Sequence, residues 1–481
     1  MLRARVVLGV SAVVLAAAAA AVIPAAAGAA PGSASAAPPG RFAAVNPDTI
    51  GAPAVAVNPD TIRIPRAASA GPPTTADCEA AAGVACYLPD QIRDAYNLPA
   101  LYARGGTGKG VTIMIVDPFG SPTIKADLAT FDNQFSYPAP PKFTIIAPAG
   151  KIPPFNPKNN GMADWAGETT LDVEYAHALA PGANILLVET PVSETEGDAG
   201  FPQIVTAEKY ALAHYKVGVI SQSFSATEAT FATYGQLSPL RAAYTDAQSR
   251  KVTVLAGSGD SGATNYQGNG TSYYNHRVTG WPATDPLVTA VGGTQLEQTA
   301  TGYSSVAWND TFNPTFLRYW TGSATPAPYA TGGGTSAFFA RPSWQNGVKA
   351  LTGGHRGVPD ISMSAACDGS VAVYSSYAVK GWSSVCGTSE ATPEFAAVVA
   401  IADQAAGHSL GLINPTLYRL AAGHAAGIVD VTAGNNTVAY TASGKQVTVS
   451  GYPARTGYDL VTGVGTLDAF QLAYELSGRQ P

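Results

Sequence analysis

Residues Ala163–Val188 read ADWAGETTLDVEYAHALAPGANILLV. The stretch up to Leu179 reads as a helix, and Pro181-Gly182 stops it, because proline cannot continue a helix and glycine suits the turn. The apolar run Ile185–Val188 then has the length and composition of a buried strand. The same alternation recurs on both sides. Val111–Val116 is an apolar strand ending at Asp117, Ile204–Tyr215 is a helix, and Val217–Ser221 is the next strand. Ser238-Pro239 supplies a cap followed by proline at the first helical position. The helix it opens runs to Ser249, before the strand Val252–Ala256. Pro286–Val291 is a further short strand, and Glu390–Ala406 is a helix ended by Gly407. Strands alternating with helices predict an α/β fold, a mostly parallel sheet with helices on both faces. Such sheets bind ligands at the carboxyl ends of their strands. The loops after Ser221, Ala256 and Val385 are therefore where chemistry is expected.

The 481 residues are 46% hydrophobic and only 12% charged, with a net charge of −6. That apolar share supports a packed core and excludes disorder throughout. The sparse, slightly acidic charge excludes a nucleic-acid binder and a polybasic membrane binder. A surface with few carboxylates also changes little on acidification, which fits work at low pH. Arg3 and Arg5 precede an apolar run from Val6 to Ile23, followed by Pro24 and small residues. This order is that of a secretory signal peptide. The expected division is a signal peptide over 1–27, a largely disordered Pro/Ala-rich leader over 28–85, and one folded domain over 86–481. The leader carries the short repeat Val45–Ile50 and Val57–Ile62. The expected location is extracellular, free of the membrane after cleavage, as a monomer. Four cysteines in an exported chain predict two disulfides with three possible connectivities. The local pairs Cys78–Cys86 and Cys367–Cys386 are preferred.

Three segments are candidates for chemistry. Gly387-Thr388-Ser389 places a serine at the start of a helix that is apolar nearly all round from Phe395 to Ala402. A hydroxyl at a buried helix N-terminus sits in a positive field beside free N–H groups, which suits a nucleophile with an oxyanion to stabilise. The tripeptide alone reads more readily as an ordinary N-cap. Glu168 and Asp172 are four apart, on one helix face. If buried, they would titrate as a coupled pair and accept a proton where imidazole is already charged; if exposed, they are a solvated acidic face. Gly257-Ser258-Gly259-Asp260-Ser261-Gly262 follows a buried strand. There Asp260 is either a carboxyl held protonated to donate a hydrogen bond or part of a plain polar turn. The six histidines show no zinc-ligand spacing and no evident catalytic partner.

Taken in order, these segments resemble the sedolisin family of serine-carboxyl peptidases over about residues 86–470. The resemblance rests on Tyr87–Arg93, Gly167-Glu168 through Asp172, Ala180–Ala183, Ser221–Phe224, Gly259–Gly262 and Trp281-Pro282-Ala283. It continues through Val291–Thr294, Gly332–Gly334, Arg341–Gln345, Pro359–Ser362, Gly387–Ser389 with Pro393, and Gly457–Gly463. It implies a subtilisin-like α/β fold and acid-active cleavage of protein or peptide substrates. It implies Ser389 as nucleophile, Glu168 as general base, Asp172 as its partner and Asp260 as a protonated oxyanion donor. It also implies one structural calcium ion, held by the Asp430 and Asp459 carboxylates and the carbonyls of Val431, Arg455 and Gly457. Oxygen-only ligands suit that ion.

Some positions depart from the family pattern. Arg455 and Ser225 stand where glycine is usual, and Cys386 stands where serine is common. Many members carry a long folded prosegment, where this sequence has its low-complexity leader. Two other readings compete: a secreted binding protein that kept the fold without catalysis, and an α/β-hydrolase, for which Ser383-Ser384-Val385 is a short and polar approach strand.

Overall fold

The computed structural model describes residues 61–62, 71–156, 158–377 and 380–480. The apolar run after Gly110 forms β1 (Thr112–Pro118), the centre of an eight-stranded sheet. The other strands are β2 (Phe143–Ile146), β3 (Asn184–Thr190), β4 (Val219–Gln222), β5 (Thr253–Gly257), β6 (Thr289–Thr299), β7 (Gly302–Ala307) and β8 (Ile361–Ser364). Their order is β7-β6-β5-β4-β1-β3-β2, with β8 also paired to β6. Every ladder is parallel except β6 with β7.

Alternate side chains of the parallel strands enter two separate cores. Ile113, Ile115, Val219 and Leu255 join one. Met114, Val116, Ile220 and Val254 join the other. This two-sided burial explains why these strands read as continuous apolar runs. Helices α1 (Asn160–Leu179) and α4 (Thr388–Ala406) fill the first core with Leu171, Val173, Phe395 and Val399. Helices α2 (Phe201–His214) and α3 (Ala242–Ser249) cover the second with Ile204, Ala207, Tyr244 and Ala247. The chain passes from β3 across β1 to β4, so the strand order reverses there. The carboxyl ends of β1 and β4 open onto that crossing.

The segment expected as a signal peptide, and most of the expected leader, lie outside the described residues. The leader boundary at 85 is corrected at its C-terminal end. Thr75–Ala82 forms a helix. A reciprocal cap between Thr74 and Asp77 starts it, and Gly83 closes it at φ 68°. Thr61–Ile62 pairs antiparallel with the strand Gly381–Val385. An alanine-rich composition hid the cap, and the crosslink that anchors this helix is non-polar and fully buried at Cys78. Both preferred disulfides are present, Cys78–Cys86 and Cys367–Cys386.

Candidate active site

The loop into α4 brings the candidate serine to the sheet. Gly387, at φ 124° and ψ 167°, is the N-cap residue, a conformation that favours glycine. Its N–H donates to the Ala365 carbonyl at 2.7 Å. Ser389 is therefore the second residue of the helix and not its cap. It is fully buried.

Glu168 and Asp172 lie in the middle of α1, both with 0% exposure, which removes the solvated-face reading. Burial, then the charge of Asp172, push the Glu168 carboxyl well above the ordinary glutamate range. The Ser389 hydroxyl, close by, pulls it back. Neither Glu168 oxygen meets strict hydrogen-bond geometry, a looseness common in sites without substrate. Asp172 is raised by burial and by Asp117. Ser223, just past the end of β4, donates its hydroxyl to Asp172 Oδ1 at 3.0 Å, with the Ser389 carbonyl 3.5 Å from the same hydroxyl oxygen. The hydroxyl thus ties the β4 end to both helices.

Asp260 follows β5, where Gly259 takes φ 110°. The N–H and the hydroxyl of Thr388 both donate to Asp260 Oδ1, each at 2.8 Å. The Gly259 N–H donates to the Thr388 hydroxyl at 3.2 Å, and the Thr392 hydroxyl donates to the Thr388 carbonyl at 2.7 Å. Asp260 is thereby fixed against the residue next to Ser389. The four residues picked out by their sequence contexts come together at one place.

Sequence reading left one carboxyl of this cluster without a role. Asp117 is the penultimate residue of β1 and has 0% exposure. Burial pushes it up to about 7, with the Thr169 and Asp172 side chains pulling it back. Its signal was its position, an acid at the carboxyl end of a central parallel strand. Imidazoles lie elsewhere: His177 Nε2 meets the Pro138 carbonyl at 2.8 Å, and His408 Nδ1 meets the Ser409 carbonyl at 3.0 Å.

No protein-family model matches the chain. It is 32% identical over 389 residues to kumamolisin from Bacillus sp. (strain MN-32), a match covering 79% of this chain and 62% of that one. It is 31% identical over 312 residues to sedolisin from Pseudomonas sp. (strain 101), covering 64% and 48%. A solved structure described as Pseudomonas sedolisin, a serine-carboxyl proteinase complexed with two molecules of pseudo-iodotyrostatin, superposes with a TM-score of 0.68 at 26% identity. That match covers 82% of this chain and 99% of that chain. The chain belongs to the sedolisin family. Its fold is subtilisin-like, and the α/β-hydrolase alternative is withdrawn. This sedolisin-family chain spans about half to three-fifths of the length of these two curated relatives.

The C-terminal segments expected to bind calcium in this sedolisin-family chain come together. The Gly457 N–H donates to Asp430 Oδ2 at 3.0 Å. The Arg455 N–H donates to Asp459 Oδ2 at 2.9 Å. Asp459 Oδ1 accepts from the N–H groups of Val461 and Thr462 at 2.9 and 2.8 Å. Both carboxylates are thus held on one loop. No group of three or more His, Cys, Asp or Glu suited to a metal occurs among the described residues. Calcium would need backbone carbonyls as well as these two acids, and the oxygen-only donor set fits it.

Proposed function

We propose that this chain is a secreted, acid-active serine-type peptidase that works through an acyl-enzyme. The observation that carries the reading is the gathering of Asp260 and the buried Glu168 and Asp172 around Ser389 at the start of α4, with Ser223 joining Asp172 to the Ser389 backbone and Thr388 holding Asp260. Two coupled carboxyls release their protons in steps. When one proton remains on the Glu168–Asp172 pair, Glu168 is the base for Ser389. It takes the hydroxyl proton as Ser389 Oγ bonds to the scissile carbonyl carbon. It then returns that proton to the leaving amine as the peptide C–N bond breaks. Water attacks the ester by the same route and frees the acid product. Asp172, held by Ser223, keeps Glu168 oriented and charge-balanced.

The oxyanion is met by the Asp260 carboxyl and the Ser389 N–H. Two donors from Thr388 occupy Asp260 Oδ1, so a proton on that carboxyl belongs on Oδ2 and can be donated. The pair supplies a carboxylate base once a single proton remains on it, whereas an imidazole, with a reference pKa of about 6.5, is already charged at acid pH. Asp430, Asp459 and the carbonyls of Val431, Arg455 and Gly457 would hold a calcium ion that ties the C-terminal loops. Export would follow from the N-terminal signal, and the working form is a monomer.

The test is digestion of a denatured protein from about pH 3 to pH 7, with and without a peptide aldehyde that captures a serine nucleophile. Cleavage confined to the acid range and blocked by the aldehyde supports the reading. Complete absence of cleavage returns it to a binding protein on the same fold.

A further inference from the structure

The mechanism above leaves Asp164 unused. Asp164, Glu168 and Asp172 follow at four-residue intervals on α1 and share one helix face. Asp164 stands about one turn, roughly 6 Å along the axis, toward the N-terminus from Glu168. All three are buried, yet Asp164 keeps 4% exposure where the other two keep 0%. Ala163 and Gly167, on the adjoining strip, are half-buried. The strip at Ala163 and Gly167 is therefore the nearest solvent-facing part of the helix, while both Asp164 oxygens are themselves covered.

Neither Asp164 oxygen has a hydrogen-bond partner among the described residues. None of the ion pairs there includes it. Burial pushes its carboxyl up to about 9, with no neighbouring donor or cation acting on it. A folded protein rarely leaves a buried carboxyl in this state unless something else satisfies it. Here the half-buried strip at Ala163 and Gly167 is the side from which a partner can approach the covered carboxyl.

We propose that Asp164 is the receptor for a positively charged nitrogen group of the substrate, a Lys or Arg side chain or a free α-amino group, bound one helical turn from the acid pair at Glu168 and Asp172. This rests on the peptidase reading and names the substrate chemistry it favours. A guanidinium or ammonium brings the donors that Asp164 lacks, and a charge-assisted hydrogen bond at a nearly buried carboxyl is among the stronger contacts available. A neutral substrate leaves the carboxyl as it is, so discrimination follows.

The test uses the full chain and peptides in which arginine, walked through each position around the scissile bond, is compared with its neutral isostere citrulline. A second pair compares a free with an acetylated N-terminus. The expected result is a preference of about tenfold or more in kcat/KM for the cationic peptide at one position or at the free terminus. That preference falls to about twofold or less in Asp164→Asn and survives in Asp164→Glu. A wild-type ratio near unity at every position, or an unchanged ratio in Asp164→Asn, overturns the proposal. Calorimetric binding of the same peptides to Ser389→Ala separates the two readings. Tighter binding of the cationic peptide by a chain whose wild type cleaves nothing would end the peptidase reading and keep the subsite. Equal binding of both peptides would end the subsite whatever the turnover.

Discussion

Thr388 holds Asp260 twice, with its backbone N–H and its hydroxyl both 2.8 Å from the same oxygen, Oδ1. One residue of the α4 entry thus fixes a carboxyl that belongs to the β5 loop. Removing the hydroxyl while keeping the branched shape, in Thr388→Val, leaves one of those two donors. We expect kcat to fall about tenfold with KM little changed, less than the loss of an oxyanion donor itself. Thr388→Ser restores the hydroxyl and most of the rate. Equal loss in both variants would show that packing, not the hydrogen bond, matters at this position.

Ser389→Ala and Glu168→Gln should both abolish turnover, by about three orders of magnitude or more. Their stabilities should differ. Burial already holds Glu168 above its ordinary pKa, so the native state keeps a proton that the unfolded chain gives up as pH rises. Its stabilising contribution is complete below the unfolded value of about 4.3 and is lost as pH rises toward the folded one. Glu168→Gln removes that loss. Its melting temperature should equal that of the wild type at about pH 4 and exceed it near neutrality. A variant less stable than wild type at neutral pH would show that Glu168 is ionised and paired in the native state.

A second acid pair lies on the helix that carries the serine. Glu390 and Glu394 are one turn apart on α4, fully buried, with all four oxygens outside hydrogen-bond geometry. Burial raises both well above the glutamate range. The Ser364 hydroxyl opposes this at Glu390 and the charge of Asp260 adds to it, while Glu390 adds to it at Glu394. Tyr96 and Tyr175 feel both acids. By the same sign, each acid supports folding below about pH 4 and withdraws that support as pH climbs, on the order of 1 kcal/mol per pH unit for each group. The double variant Glu390→Gln/Glu394→Gln should flatten the decline of melting temperature between about pH 4 and pH 7. An unchanged slope would mean that these acids are solvated or paired.

The alternation around Ala163–Val188 was enough to predict the sheet and its two helical layers, because each breaker sits beside the element it ends. β1 and β3 fall within two residues of where the apolar runs place them, and α1 ends at Leu179 as read but starts three residues earlier, at Asn160. Ser389, Glu168 and Asp260 stood out as candidates for a similar reason, since each lies at a strand end, on a helix face or beside a glycine turn, but only the ordered resemblance attached roles to them. Asp117 was not, because its importance comes from the crossing of β1 beneath α1, a relation no spacing records. Glu390 and Glu394 were hidden differently. The apolar run Phe395–Ala402 implies a buried helix, but only the packed structure shows that burial extends back over two acids.

Calcium should act on stability before activity. If Asp430 and Asp459 hold the ion, a chelator removes the charge that offsets two carboxylates gathered on one loop. The melting temperature should then fall by several degrees and recover on adding calcium. Asp459→Asn should melt lower and lose the response to chelator. A wild-type chain indifferent to chelator would leave the two acids as loop-binding residues, satisfied by the backbone N–H groups they already accept.

The Cys367–Cys386 disulfide ends one residue before Gly387 and so fixes the start of the serine-bearing turn to the chain after β8. Its loop, with a sequence separation of 19, gives a chain-entropy stabilisation of about 3 kcal/mol. Stability and activity should part company here. Cys367→Ala/Cys386→Ala should melt lower by that order. At a temperature where it is still folded, kcat should also fall, because the glycine turn that aims Ser389 has lost its anchor. The control is Cys78→Ala/Cys86→Ala, whose crosslink lies on the N-terminal helix away from that turn. It should lose stability and keep kcat. Equal kcat in both pairs, measured below the melting range of each, would show that the Ala365 carbonyl and the Gly387 N–H hold the turn without the disulfide.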